Sequence, residues 1–165
     1  MQKFLYIIAT FDEETSRKMD YIQNTIRNSG ISDFQTPDIP NHLTLMQYSI
    51  EREDEIKELL REVSSKTESF KLAFKHIGLF GLKVMFLAPD VNFELLNMFQ
   101  NLNKNAIIDD RGWTAHATIL INNEDEVMKA IPIASKCFEG IEGRITGLSL
   151  YEFFPTRHIA DYRLK

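Results

Sequence analysis

The sequence predicts an α+β protein of two similar halves, bilobal, with antiparallel sheets around a central cleft. Three observations carry this. Stretches of strand and helix character follow one another in the order β-α-β-α-β-β and then α-β-α-β-β. A histidine and a threonine two residues apart occur once in each half, as Asn41-His42-Leu43-Thr44-Leu45 and as Ala115-His116-Ala117-Thr118-Ile119. The composition, 44% hydrophobic and 26% charged, excludes a disordered chain and suits a single folded domain over residues 1–165, with each lobe supplying one triplet. Helices alternating with hairpins favour antiparallel sheets over a doubly wound parallel one.

Taken in order, Phe4 to Phe11 is an apolar run of strand length. It is too short to cross a membrane and lacks a cleavage-site context. Asp12 is positioned to cap a helix whose stripe is Met19, Ile22 and Ile26, ending near Gly30. Pro37 and Pro40 mark a loop that delivers the first triplet, and strand character continues to Tyr48. Arg52 to Ser64 is charged apart from Ile56, Leu59, Leu60 and Val63, the pattern of a surface helix with one buried stripe. Phe70, Leu72 and Phe74 alternate with Lys71, Ala73 and Lys75, Gly78 and Gly81 mark a turn, and Val84 to Ala88 returns as the partner strand.

Asn92 is placed to cap a helix carrying Leu95, Leu96, Phe99 and Leu102, and Asp109, Asp110, Arg111 and Gly112 make a loop. Trp113 leads into the second triplet, whose strand runs on to Ile121. Asn123 with Glu126 forms a capping box for a helix that Pro132 is expected to kink or end, with a further turn before Gly140. Strands from Ile145 to Phe154 and from His158 to Leu164 close the chain.

Charge and cysteine usage bound the function. A net charge of −5 argues against a surface that tracks a nucleic-acid backbone, while leaving room for a pocket that takes one phosphate. The single Cys137 cannot form a disulfide within the chain and fits a reducing compartment, so a cytoplasmic monomer without a membrane partner is expected.

In a strand, side chains two apart share a face. His42 and Thr44 therefore point together, as do His116 and Thr118, with aliphatic residues behind them. The chain holds four histidines and places two of them this way. Imidazole titrates near pH ~6.5, so one ring can accept a proton from an attacking oxygen while another donates to a departing one. The threonine hydroxyls can donate to phosphoryl oxygens. Nothing in this scheme requires a metal or a cofactor. Zinc takes three or four ligands, and neither triplet has a carboxylate or thiolate beside its histidine. His76 and His158 lack a matching hydroxyl and read as satisfied or exposed histidines.

Four further residues are candidates for substrate binding. Tyr48, four residues beyond Thr44, falls in phase with it. For Phe80 two readings stand, base stacking at the cleft mouth or core packing. Tyr151 and Arg157 belong to the last hairpin, where Arg157 either binds a terminal phosphate or is an exposed turn arginine. Trp113 either packs as core or braces the loop carrying His116.

Ile39-Pro40-Asn41-His42-Leu43-Thr44-Leu45 and Trp113-Thr114-Ala115-His116-Ala117-Thr118-Ile119 resemble the paired H-x-T/S signatures of the 2H phosphoesterase superfamily, which includes 2′-5′ RNA ligase-like (LigT-like) proteins and cyclic phosphodiesterases. The likeness extends over nearly the whole chain, including Gly78-Leu79-Phe80 ahead of a strand and the final hairpin. Asn41 and Ala115 stand where many members carry proline. The resemblance implies a pseudo-two-fold fold and metal-independent hydrolysis of 2′,3′-cyclic phosphates or 2′-5′ phosphodiesters in nucleotides or RNA ends. His42 and His116 would be the acid–base pair and Thr44 and Thr118 would hold the phosphate. The rival readings are 2′-5′ ligation and a phosphate- or RNA-end-binding module without turnover.

Overall fold

Residues 2–107 and 112–165 are described by the computed structural model, so the expected loop at Asp109, Asp110 and Arg111 lies outside the described residues. The elements are β1 (Phe4–Phe11), α1 (Glu13–Asn28), β2 (His42–Ser49), α2 (Glu53–Lys66), β3 (Phe70–Phe80), β4 (Val84–Pro89), α3 (Phe93–Leu102), β5 (Ala117–Ile121), α4 (Glu124–Cys137), β6 (Ile141–Phe153) and β7 (Arg157–Arg163). A 3₁₀ turn at Ile50–Arg52 leads into α2. Three helices start where a side chain accepts an orphan N–H: Asp12 from Thr15 at 2.9 Å, Asn92 from Leu95 at 3.0 Å and Asn123 from Glu126 at 3.1 Å. Losing such a cap costs about 0.5–2 kcal/mol.

Among the described residues the strands form one sheet in the order β2-β1-β6-β3-β4-β5, with β7 also on β6, and every pairing is antiparallel. Strand β6 is the joint between lobes. Its residues 145–153 pair with β1 and its residues 141–145 pair with β3. The repeat is therefore β-α-β-α-β, with each half's last strand lying in the other half's lobe and β7 as an addition. Helix α1 packs on α4 and α2 on α3, and both α1 and α2 lie against β6. Between sheet and helices lie Leu5, Ile7, Met19, Ile22, Leu60, Leu72 and their neighbours, all fully buried. Burying each such side chain stabilises the fold by roughly 1.5–3 kcal/mol.

Three expectations need correction. Gly78 is inside β3 rather than in the turn, which falls at Gly81 with φ 55°. Gly78 is required because the Phe86 ring lies against it: a Cβ there would sit 2.3 Å from Phe86 Cε2. Strand β6 begins at Ile141, with Ile141, Gly143 and Ile145 facing inward and Gly143 leaving space for Thr15. Helix α4 runs through Pro132 to Cys137. Pro132 and Met128 are both on the exposed side, so the carbonyl that proline leaves unbonded is open to water.

Candidate active site

Strands β2 and β5 are the two free edges of the sheet, and its curl brings them together. Two hydrogen bonds tie the edges across the lobes: Trp113 Nε1 donates to Thr44 O at 3.0 Å, and Ile107 N to Gln47 O at 2.8 Å. Trp113 is itself stacked on Phe99, with centroids 4.1 Å apart, so it braces the loop before His116.

The two histidines are held alike. His42 Nδ1 lies 2.7 Å from Pro40 O and His116 Nδ1 lies 2.7 Å from Thr114 O, in each case the carbonyl two residues back. A carbonyl only accepts, so Nδ1 carries the proton and donates it, and Nε2 has no hydrogen-bond partner among the described residues. Both rings are half-buried.

Each triplet is followed by the same irregularity. Thr44 pairs with Ile8 and Met46 with Ile7, so Leu45 is an extra residue; Thr118 pairs with Phe86 and Leu120 with Met85, so Ile119 is another. Such bulges re-aim side chains beside functional sites. Here each buries two consecutive aliphatics, Leu45-Met46 and Ile119-Leu120, while His and Thr keep the cleft face. Those apolar doublets are the sequence signal that went unread.

Two grooves meet at the centre, sharing Tyr6 and Thr44. One, of about 470 Å³, holds His116 among Phe80, Val84, Phe99 and Trp113. The other, of about 570 Å³, holds His42 and Thr118 beside polar residues of α1 and the 31–41 loop. His116 meets Phe80 edge-on at 4.8 Å and Phe86 at 5.3 Å. Burial pushes the His42 imidazole below its ordinary value; the Pro40 hydrogen bond pulls it up and the nearby His116 pushes it further down. His42 is therefore neutral at pH 7.

The remaining candidates divide. Phe80 is 40% exposed and lines the groove beside His116. Tyr48 does not reach the cleft: the bulge at Leu45 reverses its phase, it is 0% exposed, and its hydroxyl donates to Leu102 O in the core. Tyr151 is on the cleft side of the sheet but only 7% exposed, covered by Phe153 and His158, and lines neither groove. Arg157 is committed elsewhere, donating to Glu152 at 2.7 Å and Glu53 at 2.6 Å and fastening the last hairpin to α2. Tyr6 was missed, since β1 reads as a plain apolar strand. His76 lies on the surface near Asp90, and His158 Nε2 donates to Asp161 Oδ1 2.9 Å away. Among the described residues no helix is long and apolar enough to cross a membrane.

A two-lobed antiparallel fold with a paired H-x-T on its facing edges defines the 2H phosphoesterase class. A family model described as the 2′-5′ RNA ligase superfamily matches residues 21–153, and the chain belongs to that superfamily. No curated protein matches it. Among solved structures it is similar to TT0787 of Thermus thermophilus, with TM-score 0.68 and 14% identity over 98% of this chain and 97% of that one. It is likewise similar to Escherichia coli LigT complexed with 3′-AMP, with TM-score 0.64 and 14% identity over 100% and 99% of the two chains. A third similar structure is described as a phosphoesterase, with TM-score 0.61 and 17% identity over 100% and 99%. At these identities the likeness is one of fold.

Proposed function

We propose that the protein is a metal-independent phosphodiesterase that hydrolyses 2′,3′-cyclic phosphates or 2′-5′ phosphodiesters of nucleotides or RNA ends. The observation that carries this is the matched pair of imidazoles, each with Nδ1 tied to the carbonyl two residues back, in two grooves that meet at Tyr6 and Thr44. His42, neutral at pH 7, takes a proton from the attacking water as its oxygen bonds to phosphorus. The phosphorus–oxygen bond to the sugar breaks, and His116, which enters the step as imidazolium with Nδ1 still donating to Thr114 O, gives its Nε2 proton to the departing oxygen. Thr44 and Thr118 donate to the phosphoryl oxygens, and Phe80 offers a face for a base beside His116. Family membership supports the phosphoester class, and the crystallisation of E. coli LigT with 3′-AMP, phosphate and ATP supports a nucleotide ligand.

The test is turnover in EDTA of 2′,3′-cyclic nucleotides and a 2′-5′-linked dinucleotide. His42→Ala and His116→Ala each lose about 10²- to 10⁴-fold in kcat/KM. Tight binding without turnover by the unsubstituted protein would replace the enzyme reading with a binding module. Activity abolished by EDTA would overturn the metal-independent mechanism.

A further inference from the structure

Among their described residues, the two grooves that meet at the histidines differ in charge. The groove on the His42 side carries Asp20, Asp33 and Asp38 against Arg27 among its described residues. Asp33 Oδ1 accepts the backbone N–H groups of Gln35 and Ile121, each at 3.0 Å, and its Oδ2 accepts from the Gln35 side-chain amide at 2.7 Å, which holds the loop. Asp20 accepts from Asn41 Nδ2 at 2.7 Å, and Asp38 is exposed. Arg27 reaches the Asn24 amide oxygen at 2.9 Å and, among the described residues, no carboxylate. With His42 neutral, the described residues of the groove carry more acidic than basic side chains, together with the amide of Gln23.

We infer that this groove receives the second alcohol of the diester and selects a neutral, hydroxyl-bearing arm, a nucleoside or sugar, over one that bears a further phosphate. Carboxylates and amides hydrogen-bond hydroxyls well, whereas a phosphate among carboxylates that have no salt-bridge partner among the described residues is repelled and loses hydration without a compensating cation. Like-charge juxtaposition of this kind acts as selection against the wrong ligand. The inference rests on the phosphodiesterase reading and narrows it: the substrate is a short diester with an uncharged arm, not an internal linkage of a long strand.

Calorimetry on the His116→Ala protein keeps the ligand intact. The probes are a 2′-5′-linked dinucleoside monophosphate and the same compound with a terminal phosphate on either nucleoside in turn. One of the two phosphorylated forms binds about tenfold more weakly than the parent, and the gap shrinks in higher salt. Asp20→Asn with Asp38→Asn keeps the Asn41 contact and narrows the gap to about threefold or less. The inference is overturned if both phosphorylated forms bind as well as the parent, if the gap survives the double substitution, or if the parent does not bind. The same binding preference without turnover in the unsubstituted enzyme would remove the phosphodiesterase reading and leave the groove's selectivity standing.

Discussion

The two H-x-T edges are copies in backbone and unlike in surroundings. Both end in a bulge, both show His and Thr to the cleft, and both fix the imidazole through the carbonyl two residues back. Yet His42 faces a polar groove and is held neutral by burial, while His116 is edged by Phe80 and Phe86. Duplicated geometry brings two identical groups near enough to feel each other's charge; unlike neighbours then give them different surroundings, and burial lowers the proton affinity of His42. The proposed acid–base pair needs such a difference in setting, because two identical imidazoles in identical surroundings would titrate together.

After the histidine substitutions, the largest expected effect tests whether the copies do equal work at the phosphate. Thr44→Val and Thr118→Val each remove one hydroxyl of near-equal volume, and each lowers kcat by about 10²-fold. A loss in only one of them would break the symmetry at the phosphoryl oxygens. Next, Gly78→Ala forces the Phe86 ring away from its place beside His116 and destabilises the fold by about 1–3 kcal/mol, read by denaturant unfolding. A neutral result would mean that the ring has room to move. Trp113→Phe keeps an aromatic ring against Phe99 but loses the hydrogen bond to Thr44 O, at a cost of about 0.5–1.5 kcal/mol. Activity should fall with kcat rather than KM, since the bond sets the spacing of the two edges.

The smallest effect is on pH dependence. His42 has a folded pKa below its unfolded value of about 6.5, so its contribution to stability is complete above that pH and is lost as pH falls through the folded value. Stability should therefore decline less steeply between about pH 6.5 and pH 5 in His42→Gln than in the unsubstituted protein. Equal slopes would mean that burial does not perturb the ring.

Much of this was legible in residue order. The strand at Phe4–Phe11, the cap at Asp12 and the two triplets follow from local periodicity and side-chain chemistry, which need no tertiary knowledge. Tyr48 was misplaced because a period of two holds only where the ladder is regular, and the extra residue at Leu45 shifts the phase. Arg157 looked free because its partners, Glu152 and Glu53, lie on another strand and on α2. Gly78 looked like a turn because its reason for being glycine is a ring from the next strand. Tyr6 gave no local sign, since only the sheet's curl makes its face a cleft wall.

The central claim is that both Nε2 atoms address one phosphate. A crystal structure with inorganic phosphate or a nucleoside monophosphate in the cleft tests it most directly. Oxygens of a single phosphate should lie within about 3.2 Å of Nε2 of both His42 and His116. A phosphate bound at one ring with the other turned away, or lodged elsewhere with both rings bare, would contradict it.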